Sequence, residues 1–280
     1  MTRHATRRKL RLNLVAIPIL LVVGSVWLYP FLWSISTAFK TPLGAFTSGA
    51  SLIPDHLALD NFTRAWVTAG FQQYFLNTAI YSGASTVIEL LKSALCGYVL
   101  ARYQFPGRNL LYRLVVATLF VPVATVIIPQ FQLVQSLGLL NSRLGVILAM
   151  SGGAGALYVL LFTSFFESLP QDLFDAAAVD GAGFVATFRL VLPLAGPVIA
   201  ALVIFQFIYS WNDFNIPLVF TLGQPDLQNL AVGMLNFQGT HSTDSTGFAA
   251  GMTISFLPIL LVFLFFQGYF VRGLEGAVKG

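Results

Sequence analysis

The first apolar run of the chain, residues 12–39, limits what the chain can fold into more than any other feature. No residue in this run is charged. Because about 20 apolar helical residues cross ~30 Å of hydrocarbon, the run is long enough to span a membrane. It also exceeds the ~7–15 residues of a signal-peptide core, so we expect it to remain as an anchor. With 56% hydrophobic and 9% charged residues, the composition excludes a soluble domain.

Further apolar runs follow the first one and are separated by polar segments. They predict six transmembrane helices, at about residues 12–39, 74–101, 110–137, 144–166, 190–213 and 249–270. We therefore expect an all-α membrane protein in which residues 1–280 form a single transmembrane domain. The segments 40–73 and 214–248 are predicted to be external loops, and residues 168–189 a cytoplasmic one.

The placement of basic residues predicts the orientation of this domain. Most of them fall on the side predicted to be cytoplasmic: Arg3, Arg7, Arg8, Lys9, Arg11, Arg102, Arg108, Arg113, Arg189, Arg272 and Lys279. Lys40, Arg64 and Arg143 fall outside, and Lys92 lies within a predicted span. Because cytoplasmic loops are enriched in Lys and Arg, both termini are predicted to be cytoplasmic. The basic N-terminus is then an orientation signal, which fits better than a nucleic-acid-binding arm.

Three of the predicted spans contain residues that predict special contacts or bends. Glu89 and Lys92 lie three residues apart on one face of the second span, where they can pair. Ionisable residues at this depth often mark a transport pathway, although a purely structural ion pair, with Lys92 reaching toward the cytoplasmic surface, is the alternative. In the third span, Pro122 and Pro129 predict a helix with two bends. The small residues 151–156 predict close helix contact in the fourth span.

The segment between the fourth and fifth spans is not composed like a simple loop. Ser168-Leu-Pro-Gln171 has the form of a capping box, which predicts the start of a helix. Gly181 can adopt the left-handed conformation that ends one. Between them lies a short apolar stripe at helical spacing, made of Leu173, Phe174, Ala177 and Ala178. A short helix with small residues at a membrane surface predicts a docking surface, and an ordinary amphipathic surface helix is the alternative.

These motifs together resemble the cytoplasmic "EAA" loop of ABC-importer permeases. The resemblance rests on Asp175-Ala-Ala, Gly181 and Leu190-Val-Leu-Pro193, with Asp175 standing where the family usually has glutamate. Leu169-Pro-Gln-Asp172, Trp211-Asn-Asp-Phe214 and the terminus Gln267–Gly280 extend it over nearly the whole chain. Within the family, the chain is most similar to the carbohydrate-importer group and to the second permease of a maltose-type importer.

The resemblance implies the fold of a type I ABC-importer permease, with a coupling helix that fits a cleft in a separate ATPase. The residues to which it assigns ATPase coupling are Asp175, Ala176, Ala177, Asp180, Gly181, Leu192 and Pro193. It implies four partners: a companion permease in a heterodimer, cytoplasmic ATPase subunits, membrane lipid, and an extracytoplasmic substrate-binding protein that faces residues 221–246. ATP and Mg would be used by the ATPase, and we expect no cofactor on this chain.

The function implied is import of a sugar or sugar derivative across a bacterial-type inner membrane, the chain forming half of a pathway with alternating access. Sugar sites combine aromatic surfaces with amide or carboxylate groups. The residues that could supply them here are Tyr209, Trp211, Asn212, Asp213, Asn77 and Gln130. Taken alone, each one is better explained as an interfacial aromatic residue or a polar residue that packs helices together.

No catalytic or metal-binding pattern emerges from the sequence. His4, His56 and His241 lie in a tail and two predicted external loops, and the single cysteine, Cys96, excludes an intrachain disulfide. Facing catalytic groups at membrane depth are missing, so we do not expect an intramembrane enzyme. Two alternatives remain open. One is a permease for glycerol-phosphate-type or other small polar solutes, and the other is an ion-coupled secondary carrier, which would need coupling-ion sites.

Overall fold

A computed structural model describes residues 2–54, 56–152, 155–238 and 243–278, with side chains from residue 16 to residue 268 except Val123. The described part of the chain is almost entirely helical. Outside its helices and turns, these ranges contain one isolated antiparallel bridge, between Gln238 and Thr243. The prediction of an all-α membrane protein is therefore confirmed.

The α-helices are numbered in chain order. They are α1 (Thr2–Ala38), α2 (Pro42–Thr47), α3 (Asp60–Thr63), α4 (Phe71–Arg102), α5 (Arg108–Thr118), α6 (Val123–Ser136), α7 (Arg143–Met150), α8 (Gly155–Ser168), α9 (Gln171–Val179), α10 (Phe184–Val191), α11 (Gly196–Trp211), α12 (Asn215–Phe220), α13 (Leu230–Gly233) and α14 (Ser245–Val278). A π-helix, Arg64–Thr68, follows α3, and a 3-10 turn, Leu192–Ala195, joins α10 to α11.

Within the described residues, four helical segments are long and apolar enough to cross a membrane. They are Ala16–Ala38, Phe71–Arg102, Phe184–Trp211 and Ser245–Gly268. Helices α7 and α8 make a fifth when they are taken as one span, because they follow each other at a bend of 55°. A sixth span would require α5 and α6 to cross the membrane together as one segment. The count of six spans therefore stays a prediction.

The third predicted span, 110–137, is where the structure departs most from the sequence prediction. A single helix with two bends was expected, but α5 ends at Thr118 and α6 begins only at Val123. Pro122 explains the break, because it has no N–H to donate and sits in an extended conformation (φ −62°, ψ 125°) immediately before α6. Pro129 lies inside α6 without ending it. The prediction of one continuous helix was wrong here.

Other boundaries differ from their predictions by smaller amounts. The second span was predicted at 74–101 and is the helix Phe71–Arg102. The fifth begins at Phe184, six residues earlier than predicted, so the loop before it is shorter than 168–189. The fourth predicted span, 144–166, is divided into α7 and α8 at its small residues, of which Gly153 and Ala154 lie outside the described residues.

The chain divides into two compact units. The first comprises Met1–Phe71 and Met234–Phe256, and the second Gln72–Gly233 and Leu257–Gly280. In the first unit, Arg64 binds Asp244 through both carboxylate oxygens, at 2.7 Å from Nε and 3.0 Å from Nη2. This fork geometry ties the residue just before α14 to the π-helix.

The second unit has a core that joins the C-terminal half of α4 to α8, α10 and α11. Its buried members are Leu90, Ala94, Tyr98, Tyr158, Phe162, Phe166, Phe188, Val191, Ala195 and Leu202. Gly97 of α4 permits this packing, since a Cβ there would lie 2.6 Å from the Cβ of Phe162. The helices on either side of α9 are therefore both packed against α4.

Candidate functional site

The helix predicted between the fourth and fifth spans exists, as α9, but it does not begin as expected. Ser168 is the last residue of α8, and its hydroxyl donates back to the carbonyl of Phe165 at 2.7 Å. The residue before α9 is Pro170, which makes no side-chain cap. The predicted capping box was therefore wrong, because α8 extends far enough to include the serine. Asp172 in the first turn instead places a negative charge at the positive end of the helix dipole.

The end of α9 is formed as the sequence predicted. Gly181 adopts a left-handed conformation, with φ of +72°. The N–H of Ala182 donates to the carbonyl of Ala177 at 2.9 Å, and the N–H of Gly181 donates to the carbonyl of Ala178 at 3.0 Å. This pair of hydrogen bonds is a Schellman motif, which satisfies carbonyls that a helix end would otherwise leave free. The predicted role of Gly181 in ending the helix is confirmed.

One face of α9 packs against the protein and the other is exposed. Leu173 and Phe174 pack on the core that contains Tyr98, and Ala177 is buried. The exposed residues form an acidic and small-residue surface: Asp172, Asp175, Ala176, Ala178, Val179, Asp180 and Gly181. Val179 is 88% exposed, which is high for an apolar side chain. Of the residues assigned to coupling, Ala177 thus faces this chain, whereas Asp175, Ala176, Asp180 and Gly181 face outward.

Arg102, the last residue of α4, holds the start of α9. Its Nη2 donates to the carbonyl of Leu169 at 2.7 Å, and its Nη1 donates to Oε1 of Gln171 at 3.3 Å. The guanidinium also lies over the ring of Phe174, 3.7 Å from the ring centroid. A cation over an aromatic face is attracted to it, and the two hydrogen bonds fix the direction of approach. Helix α9 is therefore connected directly to α4 as well as to its sequence neighbours.

Tyr98, one turn before Arg102, connects α4 to the helices on both sides of α9. Its ring centroid lies 5.5 Å from that of Phe166 in α8, 5.4 Å from that of Phe184 and 5.3 Å from that of Phe188, both in α10. Aromatic pairs at these distances are attractive beyond the area they bury. A displacement of α9 and its flanking helices would therefore act on α4 through both Tyr98 and Arg102.

The last two residues assigned to coupling lie after α10. Leu192 and Pro193 are in the 3-10 turn that joins α10 to α11, where Leu192 packs on the core and Pro193 is exposed. This turn keeps α10 and α11 continuous as one apolar segment, Phe184–Trp211.

The residues predicted to line a pathway fall into two places in the structure. Four of them lie at the C-terminal end of α11: Tyr209, Trp211, Asn212 and Asp213. Tyr209 and Asn212 are exposed, whereas Trp211 is buried and stacks on Phe207 with ring centroids 5.2 Å apart. Oδ1 of Asp213 accepts backbone hydrogen bonds at the start of α12. Burial raises the pKa of this carboxyl, although the N–H groups of Ile216 and Asn215 oppose the rise.

Asn77 of α4 is hydrogen-bonded to the segment that follows α12. It is fully buried, and its Nδ2 donates to the carbonyls of Asp226 and Gln228 at 2.7 and 2.9 Å. Arg143 donates to its Oδ1 at 3.2 Å. These bonds fix the segment after α12 against α4, so Asn77 has a structural role, and its predicted pathway role stays a prediction.

Gln130, by contrast, lies near the Glu89–Lys92 pair. Its Nε2 donates to the carbonyl of Ala149, near the end of α7, at 2.6 Å. Lys92 donates to the carbonyl of Ser151 at 2.6 Å and forms the predicted ion pair with Glu89, 2.7 Å from Nζ to Oε2. Among the residues that the structure describes, no group of three or more His, Cys, Asp or Glu side chains is placed to hold a metal ion.

Sequence reasoning missed Arg102 and Tyr98. Arg102 was interpreted only as a cytoplasmic charge, and Tyr98 was not distinguished from other apolar residues of the span. Their partners lie more than sixty residues away in sequence. A basic residue in the last turn of a helix is favourable in any protein, so it gave no sign of a particular partner.

Both the sequence and the helical arrangement of this chain have relatives among known proteins. Residues 93–276 match the protein family described as the binding-protein-dependent transport system inner membrane component. The chain belongs to this family. The resemblance to ABC-importer permeases is thereby confirmed, and the chain is the permease component of such a transport system rather than a member of an enzyme family.

Several relatives of this permease are named for sugar transport. The diacetylchitobiose uptake system permease protein NgcG of Streptomyces coelicolor is 35% identical, over 100% of this chain and 91% of the relative. The arabinooligosaccharides transport system permease protein AraQ of Halalkalibacterium halodurans is 35% identical, over 92% and 93%. The melibiose/raffinose/stachyose import permease protein MelC of Bacillus subtilis is 30% identical, over 92% and 94%.

A solved structure shares the fold. A chain of a bacterial ABC transporter involved in the import of the acidic polysaccharide alginate superposes with a TM-score of 0.80, over 94% of this permease and 98% of that chain. The two sequences are 20% identical, so this likeness bears on the fold alone.

Proposed function

We propose that this permease is one of two membrane-spanning subunits of an ABC importer for a sugar or sugar derivative. The observation that carries the proposal is α9, a short capped helix with an exposed small-residue face that Arg102 fixes to α4. In this arrangement a partner that moves α9 also moves a membrane-spanning helix. The relatives named for diacetylchitobiose, arabinooligosaccharide and melibiose transport favour a sugar as the solute.

The motive force comes from separate cytoplasmic ATPase subunits, which bind ATP and Mg. A partner shifts a conformational equilibrium only when it binds the two states with different affinity. The exposed face around Asp175, Val179 and Asp180 offers the ATPase a surface to bind. A movement of α9 that follows from this binding reaches α4 through the contacts of Arg102 and Tyr98. Alternating access then follows from a change in the tilt or position of α4, α8 and α10 relative to the companion permease.

The remaining partners follow from surfaces that this chain leaves open. Helix α1 exposes large apolar side chains, among them Leu20 at 68% and Trp27 at 73%, which suit lipid or the companion permease. The segment 221–246 faces an extracytoplasmic substrate-binding protein, and both termini lie in the cytoplasm of a bacterial-type cell. Tyr209, Asn212, Asp213 and Gln130 line the solute pathway, whereas Trp211 and Asn77 are buried and support its structure.

Two measurements test the proposal. Calorimetry on the substrate-binding protein of the same transport system, with diacetylchitobiose, arabinooligosaccharides and melibiose as probes, identifies the solute class. Uptake of the sugar that binds is then measured in proteoliposomes that contain the assembled importer, with ATP inside or outside and with the ATPase subunit omitted. We expect uptake only with the ATPase and with ATP on its side. Uptake driven by an ion gradient without the ATPase would show a secondary carrier instead.

A further inference from the structure

The break between α7 and α8 creates polar groups at the ends of two helices within one apolar segment. Helix α7 ends at Met150 and α8 begins at Gly155. The last carbonyls of a helix and its first N–H groups have no partner within the helix itself. In a membrane, where water cannot satisfy them, such groups need partners from the protein.

Two neighbouring helices supply donors to the carbonyls at the end of α7. Lys92 of α4 donates from Nζ to the carbonyl of Ser151 at 2.6 Å. Gln130 of α6 donates from Nε2 to the carbonyl of Ala149, also at 2.6 Å. The positive charge of Lys92 therefore lies at the end of α7 where the helix dipole is negative.

Glu89 of α4, the ion-pair partner of Lys92, lies close to the first residue of α8. Glu89 is completely buried, and its Oε2 is 2.7 Å from Nζ of Lys92. Its Oε1 accepts a hydrogen bond from the hydroxyl of Ser93 at 2.9 Å. A Cβ built on Gly155, the first residue of α8, would lie 2.8 Å from the same Oε1. The negative charge of Glu89 is thus next to the end of α8 where the helix dipole is positive.

We propose that Glu89 and Lys92 are positioning residues that hold the bend between α7 and α8, each charge being matched to the helix end that it faces. The orientation of the pair matters, and not only its presence. Exchanging the two charges would keep an ion pair on α4, but it would place a carboxylate at the carbonyl of Ser151 and an ammonium group beside the start of α8. An ordinary ion pair would tolerate the exchange, whereas a pair matched to helix ends would not.

The inference concerns the geometry of the chain and does not depend on the solute or on ATP. It is tested by pulsed electron spin resonance on the full-length permease in lipid nanodiscs. Spin labels are attached at Leu144→Cys in α7 and Leu161→Cys in α8, both exposed positions, in a Cys96→Ser background. The measured quantity is the distribution of distances between the two labels.

We expect a narrow distribution for the unaltered pair and for Lys92→Arg, which keeps the charge and the donors. The doubly exchanged variant, Glu89→Lys with Lys92→Glu, should give a broader distribution shifted to longer distances, because the bend is released. Ser93→Ala is the control, since it removes a hydrogen bond to Glu89 without facing either helix end. A narrow, unshifted distribution in the exchanged variant would overturn the inference.

If the exchanged variant does not insert into membranes, the comparison of Lys92→Met with Lys92→Arg replaces it. Methionine keeps an unbranched side chain but has neither the charge nor a donor for Ser151. Broadening in Lys92→Met alone supports the inference. Identical distributions in Lys92→Met and the unaltered chain would overturn it.

Discussion

The guanidinium carbon of Arg102 lies 3.7 Å from the centroid of the Phe174 ring, and this contact joins the end of α4 to the helix α9. The same side chain donates to the carbonyl of Leu169 and to the side chain of Gln171. Arg102 therefore bonds to the chain on either side of Pro170, where α9 begins. In our account, movement of α9 is transmitted to the membrane-spanning helix α4 at this contact.

Replacing Arg102 should weaken coupling more than it weakens folding. A charged hydrogen bond contributes about 1.5–3 kcal/mol and a cation over an aromatic ring about 0.5–2 kcal/mol. A loss of about 2 kcal/mol corresponds to a roughly 30-fold change in an equilibrium constant. We therefore expect Arg102→Ala to raise the number of ATP molecules hydrolysed per sugar molecule transported by about tenfold or more. The measurement is ATPase activity and uptake on the same proteoliposomes.

Arg113→Ala provides the matched control for that experiment. Arg113 is an exposed residue of α5 on the same predicted side of the membrane, so the substitution removes the same charge elsewhere. A double-mutant cycle with Phe174→Leu should give a coupling energy of about 0.5–2 kcal/mol between Arg102 and Phe174. If Arg102→Ala and Arg113→Ala hydrolysed the same amount of ATP per sugar transported, this would count against the role of Arg102.

The left-handed conformation of Gly181 predicts a second effect on coupling. A side chain at φ of +72° costs about 1–2 kcal/mol, although nothing lies within 4 Å of the position that its Cβ would take. Gly181→Ala should therefore loosen the end of α9 and lower uptake per ATP, and Gly181→Leu should do so more. Gly183→Ala is the control, because Gly183 has an ordinary φ of −75° and equally open surroundings. The same uptake per ATP in both alanine variants would contradict the prediction.

Exposure separates the predicted pathway residues into two groups that should respond differently. Tyr209→Phe removes a hydroxyl from a side chain that is 40% exposed, so we expect a raised KM for uptake without loss of thermal stability. One lost hydrogen bond of about 0.5–1.5 kcal/mol corresponds to an increase in KM of up to about tenfold. Thermal unfolding and uptake kinetics on the same preparation measure both effects.

Asn77→Ala should mainly destabilise the protein. The substitution leaves the carbonyls of Asp226 and Gln228 without the donor that they now have, and each buried unsatisfied group costs about 1–3 kcal/mol. We expect a lower melting temperature without a measurable change in KM. An unchanged melting temperature with a raised KM would instead place Asn77 in direct contact with the solute.

The Arg64–Asp244 pair predicts a pH dependence in the first unit. Burial alone would raise the pKa of Asp244, but hydrogen bonds from Arg64, Gly247 and Thr246 and the charge of Arg64 outweigh it and lower that pKa. Because the folded pKa is lowered, the stabilisation is fully present above the unfolded value of about 3.9 and is lost as the pH falls through the folded value.

Asp244→Asn should therefore lower the melting temperature near pH 7 and have less effect as the pH falls below about 4. Both side chains are about a third exposed, so we expect a loss of about 1 kcal/mol rather than that of a fully buried pair. Thermal unfolding from about pH 2 to about pH 7.5 measures the difference between the two chains across the range in which the carboxylate is protonated. A difference that stays constant over this range would contradict the assignment.

The sequence predicted those parts of the fold that depend on local pattern. Apolar runs of sufficient length located α1, α4 and α14, and Gly181 located the end of α9, because a left-handed residue at a helix end is a local requirement. Ser168 shows the limit of such rules. Its sequence context matches a capping box, yet α8 continues to Ser168, and Phe162 and Phe166 of α8 pack in a core with residues of α4.

The contacts that make up the candidate site could not be predicted in the same way. Arg102 meets Phe174, and Lys92 meets Ser151, across separations of fifty residues or more, and no periodicity in the sequence encodes such pairs. The break before α6 could have been predicted, since proline at position 122 favours one. However, Pro129 gave the same signal and lies inside an intact helix. The sequence alone does not distinguish the two prolines.

The central claim, that a cytoplasmic ATPase drives this permease through α9, is tested most directly at Val179. This side chain is 88% exposed on the outward face of α9, and Cys96 is the single native cysteine. In a Val179→Cys, Cys96→Ser chain, we expect a membrane-impermeant maleimide to label inside-out vesicles but not intact cells. Assembly with the ATPase subunit should then block the labelling. Labelling of intact cells, or labelling that the ATPase leaves unchanged, would contradict the account.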